Sequence, residues 1–238
     1  MTELREVSRA PEIDPPITPV HGALIDHPSA WRVADFTTPA GYTIELDASH
    51  LRDAQTGGVS RLTSAITVHN VLHAEYPDAL ERLYRGYAFH RRGEEQPGEL
   101  PYTPHRVPVY SNTDGKVSAR YVRTYVEAGE AAAGRPLGDS ELAVLDRFEE
   151  VTKRPDLMLE FTLHPGEMYF INNYTILHAR TAFDDGHVEE NRRRHLLRLW
   201  LEAPGMRPVH PHIRKNGIAA VAGRTPSYDW SKLTKNRN

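Results

Sequence analysis

An α+β fold built on an antiparallel sheet is what this sequence predicts, and three patterns predict it. The last third is richest in strand-like runs: "LMLEFTL" (157–163) alternates, "MYFIN" (168–172) continues it, and "TILHARTAF" and "RRHLLRLWL" (193–201) follow. Short turn signals such as "HPGE" (164–167) separate these runs, as they do between antiparallel strands. Helical spacing is confined to inserts that come before them, so helices and strands segregate along the chain.

The elements follow in order. Residues 1–20 carry Pro11, Pro15, Pro16 and Pro19 among charges and read as an extended or disordered arm. "YTIEL" (42–46) alternates like a strand, and "DASHLRDA" (47–54) reads as a short helix opened by Asp47. After Gly57 and Gly58 a short strand passes into a helix over about residues 64–75. Pro77 opens a second helix, "PDALERLYRGY", since proline is tolerated in a first helical turn. "GEEQPGELPYTPH" (93–105) reads as a solvated loop or a lid. "RVPVYS" (106–111) and "KVSARYV" (117–123) flank "NTDG" as a hairpin. In "DSELAVLDRFEEVTK" (139–153), Leu142, Leu145, Phe148 and Val151 fall on one helical face. One domain is expected over residues 21–202, followed by an irregular basic tail at 203–238.

Composition narrows the function classes. The chain has 238 residues, enough for one sizeable core, and 39% hydrophobic with 26% charged residues is ordinary for a globular protein. A net charge of −3 offers nucleic acid or anionic membrane no general attraction, so neither is an expected partner. With no cysteine, disulfides, thiolate metal sites and cysteine nucleophiles are excluded. "MTELREVSRAPEIDPP" lacks the apolar run of a secretory leader, and the cytoplasm is the expected location.

The chemistry concentrates in the last third. If residues 193–201 form a strand, Arg194, Leu196, Arg198 and Trp200 share one face. Two guanidinium groups on an otherwise apolar face call for anions, and a planar guanidinium matches both oxygens of a carboxylate. A small dicarboxylate would meet that need; ion pairs to Asp184, Asp185, Glu189 or Glu190 are the structural alternative. His178 sits sixteen residues earlier in an apolar context, where it is either a satisfied core or surface histidine or a metal ligand.

"PGEMYFINNYTILHARTAF" followed by "RRHLLRLWL" resembles the C-terminal half of the taurine dioxygenase/TfdA family, and "TGGVSRLTSAITVHNVLHAEYPDALERLY" resembles that family's Gly-Gly segment with its helices. The resemblance covers roughly residues 55–202. It implies a double-stranded β-helix, a jelly-roll-like fold, and Fe(II)- and 2-oxoglutarate-dependent oxidation of a small molecule by O2. It further implies that His178 is the distal iron ligand and that Arg194 clamps the far carboxylate of 2-oxoglutarate. Ser60 stands where a hydroxyl helps hold that carboxylate, and Arg198 would touch the co-substrate or an anionic group of the substrate.

Such a site also needs a His-x-Asp or His-x-Glu pair upstream of Gly57. His21, His27 and His50 have no acid two residues later, although Asp53 follows His50 by three. His73-Ala-Glu75 falls in a predicted helix, where residues two apart diverge, and His187-Val-Glu189 falls in a loop. His210 and His212 are expected to be exposed in the tail. "WRVADFTTPAGYTIELDASHLRD" resembles the family's N-terminal stretch, so the segment carrying the first two ligands is missing near residues 53–56. Early strands of the β-helix should be missing with it. The resulting open sheet edge invites a homo-oligomer or cover by the N-terminal arm. The alternative function is a non-catalytic binding or interaction module that keeps the carboxylate clamp without iron; an incomplete version of a longer enzyme is the third reading.

Overall fold

The computed structural model describes residues 44–45, 56–95, 97–164, 167–184, 186–187 and 207–213. In chain order its elements are β1 (Ile44–Glu45), β2 (Thr56–Gly57), β3 (Ser60–Ser64), α1 (Ala65–Glu75), α2 (Pro77–Arg85), β4 (Tyr110–Thr113), β5 (Lys116–Ala119), α3 (Arg123–Ala132), α4 (Asp139–Thr152), β6 (Met158–Phe161), β7 (Glu167–Met168), β8 (Ile176–Arg180) and β9 (Phe183–Asp184). A 3-10 turn follows at Pro211–Ile213. The class is α+β, as expected, and every strand pairing described is antiparallel. The described strands form the three-stranded sheet β6-β3-β8 and three two-stranded units, which do not by themselves make up the expected β-helix.

Local chemistry explains the starts of two helices. Ser64 leaves β3 in an extended conformation, and its Oγ accepts from the Thr67 N–H at 3.1 Å, capping α1. Pro77 occupies the first turn of α2, whose interior then buries Leu80, Leu83 and Tyr84. Leu145, Phe148 and Val151 of α4 are buried, while Leu142 stays half-buried. The helices surround a core that includes Ile66, Val68, Leu72, Tyr84, Tyr110 and Phe148. Tyr110 is fully buried and donates its hydroxyl hydrogen to the Ala65 carbonyl at 2.9 Å. His69 and Tyr84 are bonded to each other at 2.9 Å. No helix of the described residues is long and apolar enough to cross a membrane.

Three expectations change. The hairpin is β4–β5, and only Asp114 and Gly115 form its turn, at φ 50° and 75°; Asn112 and Thr113 stay in the ladder. Residues 120–122 do not continue the second strand, because a helix the alternation did not suggest, α3, begins at Arg123. It packs so closely on the chain below that a Cβ at Gly129 would lie 2.4 Å from the Ala88 carbonyl oxygen. The buried carboxylate of Glu130 beside it accepts from the Ala88 N–H at 2.8 Å.

The 93–105 loop is solvated along Pro97, Gly98, Glu99 and Leu100, as expected, while its two ends are tied down. His90 bridges to Tyr102, and the Arg91 N–H donates to the Pro101 carbonyl at 2.8 Å. Part of the tail is docked as well: Ile213 is fully buried and Val209 is buried in the core. His210 and His212 are therefore half-buried rather than exposed. The expected strand at 193–201, the helix at 47–54 and most of the N-terminal arm and tail lie outside the described residues.

Candidate functional site

β3 and β8 form the ladder on which the site rests. Its register sets Ser60 opposite Arg180, Leu62 opposite His178 and Ser64 opposite Ile176. The same register continues into the β2–β9 pair, with Gly57 opposite Phe183. Between the two stretches the strands stay joined by Thr181. Its Oγ1 accepts from the Val59 N–H, and its own N–H donates to the Val59 carbonyl, both at 3.0 Å. Gly57 permits this approach: its φ is +74°, and a Cβ there would stand 2.1 Å from the Ala182 carbonyl oxygen.

The other end of β8 is anchored by an asparagine turn. Asn172 Oδ1 accepts from the Tyr174 N–H at 3.0 Å, and its carbonyl accepts from the N–H groups of Thr175 and Ile176 at 2.9 Å each. The Thr175 carbonyl then receives the first N–H of α1 from Ala65 at 2.8 Å. His178 thus stands mid-strand, on a segment tied down at both ends.

Residues paired across an antiparallel ladder point to the same side, and sides alternate along each strand. Ser60, Leu62, His178 and Arg180 therefore share one face, joined by Leu159 and Phe161 from β6. The opposite face carries Thr63, whose hydroxyl donates to the Thr152 carbonyl at the end of α4, and Leu177, which packs on the helical core. Leu62 and Leu159 are buried without belonging to that core. The face with His178 is accordingly turned away from the helices. On it Ser60 is buried, whereas His178 and Arg180 are exposed, the Arg180 guanidinium lying 4.1 Å over the Phe183 ring.

Against the expected site, the structure brings Ser60 and His178 onto one face of paired strands, two residues out of register. Arg194 and Arg198 lie outside the described residues, as do His21, His27 and His50. Arg180 was not among the expected site residues, although alternation from His178 signals it two positions on. His73-Ala-Glu75 falls on α1, where Arg154 Nη1 holds the Glu75 carboxylate at 3.1 Å.

Comparison with known proteins bears on the same segment. The family model described as "Taurine catabolism dioxygenase TauD, TfdA family" matches residues 49–200, which include β2 through β9. The chain belongs to the TauD/TfdA family. It is 34% identical over 181 residues to FR-33289 synthase of Streptomyces rubellomurinus (strain ATCC 31215), covering 74% of this chain and 52% of that protein. It is 29% identical over 195 residues to the taurine hydroxylase-like protein SAT17 of Stachybotrys chartarum (strain CBS 109288 / IBT 7711), covering 76% of this chain and 48% of that one. The chain spans about half the length of the curated relatives it matches.

The family implies a double-stranded β-helix that uses Fe(II) and 2-oxoglutarate. The donors on the described face test that implication. Among the described residues no group of three or more His, Asp or Glu side chains is placed to hold a metal ion. His178 faces the apolar Leu62 across the ladder, with Ile176 and Arg180 two residues away on its own strand and Ser60 and Ser64 diagonal to it. One imidazole is a third of a facial triad and does not retain Fe(II) by itself. The described residues therefore do not fit a complete iron site. What they supply is one nitrogen donor, one buried hydroxyl and one cation in line along a single ladder.

Proposed function

We propose that this chain is an Fe(II)/2-oxoglutarate-dependent oxygenase-type protein that oxidises a small organic substrate. In the overall reaction one oxygen atom of O2 enters a substrate C–H bond to give an alcohol. The other enters 2-oxoglutarate, which leaves as succinate and CO2. The observation that carries this reading is the shared face of Ser60 and His178, turned away from the helices and lying within the segment the family model matches.

In this reading His178 is the distal iron ligand, and Arg194 binds the far carboxylate of 2-oxoglutarate with help from the Ser60 hydroxyl. Arg198, four residues on, meets the co-substrate or an anionic group of the substrate. The other two iron ligands come from outside the described residues or from a second subunit meeting the open edge of a β-helix that is incomplete at its N-terminal strands. The domain spans residues 21–202, between the arm at 1–20 and the tail at 203–238, and works in the cytoplasm.

The test is an anaerobic titration of the chain with Fe(II) and 2-oxoglutarate, followed by the visible charge-transfer band of the iron–keto-acid chelate. A saturable band that Arg194→Ala abolishes is the expected result. Binding of 2-oxoglutarate without the band would instead assign the chain as a binding module without iron. Absence of both would overturn the proposal.

A further inference from the structure

On the helical side of the sheet the structure gathers arginine and histidine side chains from stretches far apart in sequence. His105 comes from the loop before β4, Arg120 follows β5, and Arg207, His210 and His212 come from the docked segment 207–213. The rings of His105 and His212 stack at 4.0 Å with an interplanar angle of 24°. His210 meets His212 edge-on at 4.9 Å and 84°. Arg120 Nη1 donates to the carbonyl of Ile213, next to His212, at 3.4 Å, and its guanidinium lies 4.7 Å over the Phe89 ring. Arg207 Nε donates to Ser118 Oγ at 3.1 Å, and its Nη2 donates to the Val117 carbonyl. Phe89 and Val117 belong to the helical core, which separates this cluster from the face of Ser60 and His178.

Among the described residues, neither Arg120 nor Arg207 has a carboxylate at ion-pair distance. Glu94, Tyr125 and Tyr174 act on Arg120 only through space, and Arg91, the further cation beside His105, is already paired with Glu99. Half-buried guanidinium groups held by carbonyl oxygens, ring faces and a hydroxyl keep most of their charge uncompensated, an arrangement that an anion stabilises.

The His105 and His212 rings add N–H donors of suitable polarity. His210 Nδ1 accepts from the His212 N–H at 3.2 Å, which fixes its ring against His212. A metal ion does not fit the same cluster. Imidazole lone pairs lie in the ring plane, so two stacked rings aim theirs in parallel rather than at one point, and no metal-binding group of three is found among the described residues.

We propose that His105, Arg120 and His212, with His210 and Arg207 beside them, form a binding site for a small oxyanion. The ligand is the carboxylate or phosphate-like group of a small molecule, and the site is separate from the 2-oxoglutarate clamp. In its absence burial, followed by the neighbouring His212, Arg91, Arg120 and His210, holds the His105 imidazole down at about 4. An anion at the cluster reverses that balance, so ligand binding and proton uptake by His105 reinforce each other.

The experiment follows the imidazole proton–carbon signals of the full-length chain by nuclear magnetic resonance. Sodium sulfate or sodium acetate is titrated in, with sodium chloride as the control at matched ionic strength. The signals of His105 and His212 should move saturably with at least one oxyanion, and the pKa of His105 should rise. A response to sulfate assigns a tetrahedral dianion, and a response to acetate a carboxylate.

Arg120→Gln should weaken the response by about tenfold or more, the scale of one charge-assisted pair. His212→Gln is the second variant, each being checked for folding by thermal unfolding. Arg194→Ala should leave the response intact. Shifts no larger than those with chloride, a response that survives both Arg120→Gln and His212→Gln, or its loss in Arg194→Ala would each overturn the proposal.

Discussion

The two faces of the β6-β3-β8 sheet are built for different purposes. Toward the helices, Thr63 and Leu177 continue a core in which the Tyr110 hydroxyl, the His69 ring and the Glu130 carboxylate each have a partner from the chain itself. Away from the helices, Leu62, Leu159 and Ser60 are buried, yet His178 and Arg180 on the same face are exposed. The helical side therefore continues the core, whereas the other side combines buried residues with exposed polar ones.

Substitutions can break this contrast, and the largest effect belongs to the core. Phe148 is 1% exposed and meets Tyr110 and Tyr121 edge-on at 5.9 and 4.7 Å. Phe148→Ala should cost about 3–5 kcal/mol in urea unfolding, from lost burial and the cavity left behind. A loss below about 1 kcal/mol would mean that the core rearranges around the gap.

A somewhat smaller effect should come from pH. Burial holds the His69 imidazole down at about 4, against 6.5 when it is free. Between those values the unfolded chain takes up a proton that the folded chain does not. Stability from this group is thus full above pH 6.5 and falls as the pH drops toward 4, by roughly 3 kcal/mol in all. His105, also held at about 4, acts in the same direction. Urea midpoints measured from pH 7 to pH 4.5 should fall in the wild type and fall less in His69→Gln; equal slopes would remove His69 as the cause.

The smallest effect sharpens the comparison from the other side. His178 is exposed and stands opposite Leu62 in the ladder. His178→Ala should change unfolding stability by no more than about 0.5 kcal/mol, as at most surface positions. A loss of several times that size would place the histidine in the fold's support and blur the distinction between the two faces.

Legibility in the sequence followed the range of the interactions. Pro77, the Asp114-Gly115 turn and the periodic face of α4 act over a few residues, and each appears where local chemistry places it. α3 escaped notice because its sequence, "RTYVEAGEAA", has no clean apolar stripe. Its fixing points are the approach of Gly129 to Ala88 and the capture of the Ala88 N–H by Glu130, both some forty residues away in sequence. Motif order singled out Ser60 and His178 without showing that they share a face with Arg180, which depends on the register of β3 and β8.

By itself the sequence determined the class of the fold, the family and which side chains could carry its chemistry, since residue order and alternation encode these directly. Only the tertiary structure decided which residues share a face. Strand register joins positions more than a hundred residues apart, as in the pairing of Leu62 with His178, and no local pattern records it. The same holds for the stack of His105 on His212, because a contact between distant segments exists only once the core has brought them together.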